Sequence, residues 1–157
     1  MTTGMSTDMT TETATKSNDA IVARLRDLAA KVPVMNLLGA EVIDFDHSQQ
    51  AVTMGYTATP EMCHSKVIVQ GGLITAMVDS AMAYACMGCF DELMAVPTLE
   101  IKVSFLEAGK AGPMRATARA RRLGRSVGFL EGELYQHEKL IATSSSTVRL
   151  IPIKSNR

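Results

Sequence analysis

The strongest candidate for chemistry in this 157-residue chain is Asp79, the only charged side chain in the apolar stretch of residues 67–90. A carboxylate in apolar surroundings costs free energy unless it is hydrogen-bonded or used. Gly71 and Gly72 open the segment, and the sequence predicts a helix that begins there. The N–H groups of a helix's first turn lack intrahelical partners and attract negative charge. The pattern therefore indicates a carboxylate nucleophile or general base together with a backbone site for an oxyanion.

The spacing of Asp79 and Gly71 indicates that one copy of the chain cannot complete this site. Asp79 follows Gly71 by eight residues, which is about 12 Å along a helix that rises 1.5 Å per residue. One short carboxylate does not span that distance. A second copy of the helix, running antiparallel, would bring its own Asp79 to this Gly71. We therefore expect a two-fold dimer with two shared sites.

The segments around the central helix, about residues 71–88, predict a sheet that covers it. A short amphipathic helix is expected to begin at Asn18 or Asp19 and to end before Pro33. Six predicted strands follow the alternation of apolar residues and the positions of turns: residues 38–45, 51–58, 99–105, 114–123, 126–136 and 140–151. Because the helix and the sheet must bury apolar surface against each other, we predict one α+β domain, residues 19–157, with an antiparallel sheet wrapped around a long central helix.

Charged residues alternate along two of these strands. A hairpin centred near residues 124–125 would pair Arg121 with Glu131 and Arg119 with Glu133. We interpret this pattern as a solvated sheet face with cross-strand ion pairs.

Composition limits the function classes. Hydrophobic residues make up 46% of the chain and charged residues 20%, both near the average for globular proteins. With 16 basic and 16 acidic residues, the chain has no general attraction to nucleic acid or to an anionic membrane. Residues 73–90 only reach the lower length limit for a membrane span, and Asp79 disfavours their insertion. We expect neither a nucleic-acid partner nor membrane insertion.

Two further features bear on the compartment in which the chain works. Residues 1–18 are predicted to form a flexible polar tail without the features of a targeting signal. Cys63, Cys86 and Cys89 are too few for a disulfide framework and indicate reduced thiols in a cytoplasm. Cys86 and Cys89 have CxxC spacing, but we interpret them as small buried residues near a helix end.

Three sequence motifs resemble those of a known family. The first is His64, Gln70-Gly71-Gly72, Asp79 and Ala81; the second is the run at residues 98–106; the third is Gly124-Arg125-Ser126. Together they resemble the hotdog-fold acyl-CoA thioesterases of the phenylacetate-pathway type, over about residues 33–151. The resemblance implies the hotdog fold, hydrolysis of an acyl-CoA to a free acid and CoA, and paired subunits that share their sites. It implies no metal and no redox cofactor.

The resemblance also implies roles for single residues. Asp79 matches the family's catalytic acid, and Gly71 with Gly72 match its oxyanion donor. His64 lies where the family commonly has Asn or Gln, and would orient the water or the thioester carbonyl. Thr98 matches a Ser or Thr that helps to hold the attacking water.

Four residues are assigned to substrate binding. Gln70 replaces the usual His of the family's HGG triplet and keeps a hydrogen-bonding side chain there. Arg125 and Ser126, with Arg122 nearby, match a segment that lines the CoA path, and arginine suits phosphate recognition. An arginine in a turn is also often exposed to solvent without a ligand, so both interpretations stay open.

Two other functions remain as alternatives. Hydratases and dehydratases of the same fold also use a carboxylate and a His near a helix start, although no His follows Asp79 before His137. A non-catalytic acyl-CoA-binding module is the other, and Gln70 and His64 are the departures that leave it open. The sequence does not identify the acyl group or distinguish a dimer from a tetramer.

Overall fold

The computed structural model describes the backbone of residues 8–154 and the side chains of residues 18–154. These residues form three α-helices, ten strands and one short 3-10 turn, Pro60–Met62. The helices are α1 (Asp8–Ala30), α2 (Pro33–Leu37) and α3 (Gly71–Gly88). The strands are β1 (Glu41–Asp46), β2 (Ala51–Ala58), β3 (Cys63–Ser65), β4 (Ile68–Val69), β5 (Met94–Ala95), β6 (Thr98–Phe105), β7 (Gly112–Leu123), β8 (Val127–Gln136), β9 (Lys139–Arg149) and β10 (Ile151–Pro152).

Six of these strands form one antiparallel sheet in the order β1-β2-β7-β8-β9-β6. The long helix α3 packs against β2, β7 and β8, and α1 packs against β1 and α3. The predicted α+β architecture, a sheet wrapped around a long central helix, is therefore confirmed. The sequence also predicted the bounds of that helix correctly.

The inner face of the sheet is apolar because alternate residues of its strands point toward α3. In β2, Val52, Met54 and Tyr56 are buried, whereas the residues between them are partly exposed. Small residues elsewhere leave room for the helix. A Cβ at Gly132 in β8 would lie 3.1 Å from Cγ of Met82 in α3, so the helix and sheet approach closely at this point.

The C-terminal end of α3 is fixed by close packing and by a charged side chain. A Cβ at Gly88 would overlap the buried ring of Phe45 in β1. Arg24 of α1 donates from Nη1 to the carbonyl oxygens of Phe90 (2.6 Å) and Asp91 (3.0 Å), just after the helix. These contacts fix the C-terminal end of α3. The position of its N-terminal end depends on different segments.

The first helix begins earlier than the sequence pattern indicated. Within the predicted tail, residues 1–18, the backbone is helical from Asp8 onward, and residues 1–7 lie outside the described residues. The prediction of a helix start at Asn18 or Asp19 is wrong. Asn18 lies inside α1, and its Oδ1 accepts a 3.2 Å hydrogen bond from the backbone N–H of His47. The flexibility of the tail stays a prediction.

A β-bulge changes the predicted pairing of the charged strands. Arg119 lies opposite Glu131, and the register shifts between Ala120 and Arg122. Nε of Arg119 donates to Glu131 at 2.6 Å, and Nε of Arg121 lies 3.4 Å from the same carboxylate. The predicted pair of Arg121 and Glu131 is therefore present. The predicted pair of Arg119 and Glu133 is wrong, because the register of the hairpin together with the bulge sets Glu133 opposite Thr117.

Candidate active site

Asp79 lies in the middle of α3 and is partly buried. Oγ1 of Thr98, the first residue of β6, donates a 2.8 Å hydrogen bond to Oδ1 of Asp79. This bond connects the helix to the edge strand of the sheet and orients the carboxylate. It uses one oxygen of Asp79 and leaves Oδ2 available for another partner. The structure thus brings together two of the residues that the sequence singled out.

The first turn of α3 presents two unused backbone donors. Gly71 and Gly72 are the first two residues of the helix, and the carbonyl of Gln70 accepts from the N–H groups of Leu73 (2.9 Å) and Ile74 (3.3 Å). Among the described residues, no acceptor faces the N–H groups of Gly71 and Gly72, and no side chain caps the helix. Unpaired N–H groups at a helix N-terminus bind anions. This end of α3 is therefore suited to stabilise an oxyanion.

The two glycines have different surroundings. A Cβ at Gly71 would lie 3.3 Å from Cζ of Phe105, at the end of β6, whereas a Cβ at Gly72 would meet no atom within 4 Å. Gly71 is therefore needed in part for packing against the aromatic ring. Gly72 faces open space, where a bound molecule can approach the backbone closely.

The carboxylate and the glycine donors lie at opposite ends of the same strand. Thr98 at the start of β6 holds Asp79, and Phe105 at its end contacts Gly71. The eight residues of β6 span about 23 Å at 3.3 Å per residue. On α3 itself, Asp79 follows Gly71 by eight residues, which is about 12 Å along the helix axis.

His64 and Gln70 lie in the segment that leads into α3. The strands β3 and β4 pair as a small hairpin, and the register shifts between Cys63 and Ser65, so His64 is the bulged residue. The side chains of His64 and Gln70 are both exposed. The backbone N–H of Gln70 donates to the carbonyl of Met62 at 2.8 Å, which ties the hairpin to the helix start. The structure thus places Gln70 directly before the helix start and His64 in the hairpin that leads to it.

Arg122, Arg125 and Ser126 belong to the hairpin between β7 and β8 and are exposed. The carbonyl of Ser126 accepts a 2.9 Å hydrogen bond from Leu150, and Gly128 is connected through Val148 to Thr98 by strand pairing. The hairpin therefore lies at the same end of the sheet as Thr98. The structure describes no contact of these three side chains with Asp79.

Two features near the site were not indicated by the sequence. The hydroxyls of Tyr56 and Ser80 lie 2.8 Å apart, and Ser80 donates to the carbonyl of Met77 at 2.9 Å. Burial raises the pKa of Tyr56 well above its usual value, so this phenol remains neutral. Ser80 follows Asp79 in the sequence, and its contact with Tyr56 connects α3 to β2 next to the carboxylate. The alternation of β2 indicated that Tyr56 is buried but not which residue it contacts.

The described residues contain no cluster of three or more His, Cys, Asp or Glu side chains able to hold a metal ion. Among the same residues, no helix has both the length and the apolar character needed to cross a membrane.

Comparisons with known proteins place this fold and site in a family. The family model of the thioesterase superfamily matches residues 68–142, a span that includes the helix start, Asp79 and Thr98. The chain is also 31% identical over 121 residues to the acyl-coenzyme A thioesterase PaaI of Escherichia coli K12, which covers 76% of this chain and 79% of PaaI. The chain therefore belongs to the thioesterase superfamily.

Solved structures agree with this assignment. The chain superimposes on a phenylacetic acid degradation-related protein from Ralstonia eutropha JMP134 with a TM-score of 0.74 and 31% identity, covering 80% of this chain and 98% of that one. It matches the E. coli PaaI structure with a TM-score of 0.74 and 24% identity, over 88% of this chain and 95% of that one, and shares its fold. The resemblance to hotdog-fold, PaaI-like thioesterases that the sequence motifs indicated is confirmed.

Proposed function

We propose that the protein is an acyl-CoA thioesterase that hydrolyses a small aryl or a short- to medium-chain acyl-CoA to the free acid and CoA, without a metal or redox cofactor. The observation that carries the proposal is Asp79, a carboxylate that Thr98 holds within an apolar helix whose first N–H groups are free. Similarity to a curated acyl-coenzyme A thioesterase supports the same class of reaction.

The free edge of β6 supports the joining of two copies into one shared site. An edge strand presents unpaired N–H and C=O groups that can pair with another strand. Leu99 and Phe105 on this strand are 59% and 53% exposed, so a second copy on this edge would find apolar surface to cover. A second copy of β6 can therefore complete the sheet and cover both side chains.

The geometry of such a pairing unites the two halves of the site. Antiparallel pairing of two copies of Thr98–Phe105 over their full length sets Thr98 of one copy opposite Phe105 of the other. Thr98 holds Asp79 and Phe105 contacts Gly71. Asp79 of one copy then lies beside the helix start of the other, as the two-fold dimer requires. A dimer of this kind has two equivalent sites, and it can pair further into a tetramer.

In the proposed reaction, the acyl carbonyl oxygen lies against the N–H groups of Gly71 and Gly72. Asp79 either takes a proton from the water that adds to the carbonyl carbon or attacks that carbon itself, in which case water hydrolyses the resulting anhydride. In both routes negative charge develops on the carbonyl oxygen, where the N–H groups and the helix dipole stabilise it. In the first route the C–S bond then breaks and the sulfur gains the proton that Asp79 took from water. In the second route the C–S bond breaks as the anhydride forms, CoA leaves as the thiolate, and the water that hydrolyses the anhydride supplies its proton.

We assign supporting roles to the neighbouring residues. His64 and Gln70, beside the helix start, orient the water or the thioester carbonyl by hydrogen bonds. Thr98 holds Asp79. Arg122, Arg125 and Ser126 line the path of the CoA phosphates, where exposed guanidinium groups offer several donors.

We also propose that the enzyme works in the cytoplasm. Its three cysteines are free thiols, which are compatible with a reducing compartment.

The test is thiol release from a panel of acyl-CoAs, from short to long aliphatic chains together with phenylacetyl-CoA and benzoyl-CoA. Asp79→Asn should lower the turnover by at least about 100-fold, the lower end for loss of a general base. Asp44→Asn is the matched control, because Asp44 is exposed on β1, away from α3, and should retain wild-type turnover.

Other results would favour the other functions. Absence of turnover on every thioester, together with saturable binding of CoA, would overturn the proposal and favour a binding module. Hydration of an enoyl-CoA without thiol release would favour a hydratase. The preferred acyl group in a successful panel would identify the substrate class.

A further inference from the structure

A second polar interaction lies away from Asp79 and Thr98, at the end of β8. The side chain of Gln136 is 9% exposed, and its amide makes two hydrogen bonds to one backbone unit. Oε1 accepts from the N–H of Lys110 at 2.9 Å, and Nε2 donates to the carbonyl of Lys110 at 2.7 Å. The side chain thereby pairs with this backbone unit as a neighbouring strand would. It fixes the loop between β6 and β7 in one position.

That loop is in turn the support of the segment before α3. Ile68 pairs with Lys110, and the N–H of Val69 donates to the carbonyl of Gly109 at 2.9 Å. Gly109 is tightly enclosed, because a Cβ there would lie 2.9 Å from Met114 and 3.1 Å from Ile74 in the first turns of α3. The loop is therefore lodged between β4 and the helix, and a shift of the loop would move both.

We infer that Gln136 is a positioning residue that sets where the N–H groups of Gly71 and Gly72 point. Val69 lies two residues before Gly71, and no described side chain caps the helix. The direction of the first turn is therefore set by the backbone that precedes it, which Gln136 holds through Lys110 and Gly109. The catalytic consequence rests on the proposed thioesterase function, whereas the structural consequence does not.

The expected kinetic effect follows from what the donors do. An oxyanion exists only as the reaction proceeds, so displaced donors lower kcat and leave KM nearly unchanged. Small misplacements of catalytic groups cost up to about 100-fold in rate. A role of Gln136 in stability alone would lower the amount of folded enzyme without this separation of kcat from KM.

The test compares Gln136→Met, which keeps the length but loses both hydrogen bonds, with Gln136→Glu, which keeps an acceptor for the N–H of Lys110. Phe45→Leu is the control, because Phe45 packs at the opposite end of α3 and also costs stability. Hydrogen exchange of residues 68–74 and the kinetic constants are measured for folded samples of each variant.

We expect Gln136→Met to speed exchange in residues 68–74 by about tenfold or more and to lower kcat by about tenfold with KM within twofold. Gln136→Glu should show a change of both kinds at least as large, because its second oxygen would face the carbonyl of Lys110 where Nε2 now donates, and Phe45→Leu should show neither. Unchanged exchange, unchanged kcat, or equal effects in Phe45→Leu would each overturn the inference. Hydrogen exchange needs no substrate. If the wild type lacked thioesterase activity, the proposed function would be disproved, but the exchange rates would still decide whether Gln136 holds the helix start.

Discussion

The hydroxyl of Thr98 donates a 2.8 Å hydrogen bond to Oδ1 of Asp79, and this bond joins the centre of α3 to the free edge of the sheet. It fixes the orientation of the only charged side chain in α3. It also fixes which end of β6 carries the acid, because Phe105 at the other end contacts Gly71. The proposed sharing of sites between two copies follows from this arrangement.

Thr98→Val should lower kcat by about tenfold, because it keeps the shape of the side chain but removes the donor to Asp79. A lost hydrogen bond to a charged group is worth about 1.5–3 kcal/mol, and exposure of Thr98 places the effect at the lower end. Thr98→Ser keeps the hydroxyl and should retain most of the activity. Equal kcat values for the Val and Ser variants, measured by thiol release, would reduce Thr98 to an ordinary strand residue.

Gly72→Pro and Gly72→Ala separate the backbone donor from the space around it. Both add side-chain atoms that project into open space, but only proline removes the N–H, and proline is tolerated in a helix's first turn. We expect Gly72→Pro to lower kcat by about 100-fold and Gly72→Ala to stay within a few-fold of wild type. Circular dichroism checks that α3 is retained in both. An equal loss in both variants would mean that side-chain space, not the donor, matters at this position.

Gly88→Ala should destabilise the fold, because its Cβ would overlap the ring of Phe45. Overpacking of a core typically costs about 1–3 kcal/mol, and the rigid ring places this variant at the upper end. The measurement is the free energy of unfolding in urea, with Gly72→Ala as a control at an uncrowded glycine. In the double variant with Phe45→Ala the two losses should not add, since the smaller side chain makes room. Wild-type stability of Gly88→Ala would contradict the packing described for this end of α3.

Cys86 and Cys89, which have CxxC spacing, should be unreactive in the folded protein. Burial raises the pKa of the Cys86 thiol to about 12, with a smaller contribution from Cys89, and burial raises the pKa of Cys89 to about 11. Since the thiolate is the reactive form, iodoacetamide at pH 8 should leave both unmodified until the protein is unfolded. Mass spectrometry of the labelled peptides measures this. Fast labelling of either cysteine, or a disulfide between them, would support a redox role instead.

The same shifts predict the direction of the pH dependence of stability. Folding favours the protonated thiols, so their contribution is complete below pH 9, the ordinary pKa, and is lost as pH rises through the folded values of about 11 and 12. Urea unfolding of wild type and Cys86→Ala across this range tests it. The difference in stability between them should shrink as pH rises above 9. A difference that grows with pH would mean that the folded state favours the thiolate.

The long elements could be predicted from the sequence because each repeats its pattern several times. Alternation over eight or more residues defines β2, β6 and β7, and a run of apolar residues defines α3. The hairpin of β3 and β4 has strands of three and two residues, too short to show a period. The register of the β7–β8 hairpin and its bulge at Arg121 also leave no composition signal, so the pairing of Glu133 could not be predicted.

The site could be predicted in part for a similar reason. The separation of Asp79 and Gly71 follows from the helical rise alone, and the family motif indicated Thr98. The dependence of the helix start on Gln136 could not be inferred, because it runs through Lys110 and Gly109, which are distant from it in sequence and lie in a loop without periodicity. Contacts of this kind depend on the finished fold.

The most direct test of the shared site is complementation between two inactive variants. Asp79→Asn and Gly72→Pro, carrying different tags, are unfolded together and refolded, and the hybrid dimers are isolated. If one copy supplies the acid and the other the helix start, each hybrid has one intact site, and the unsorted mixture should recover about a quarter of wild-type thiol release. Activity of the hybrids no higher than that of the separate variants would contradict the shared site and place both groups on one chain.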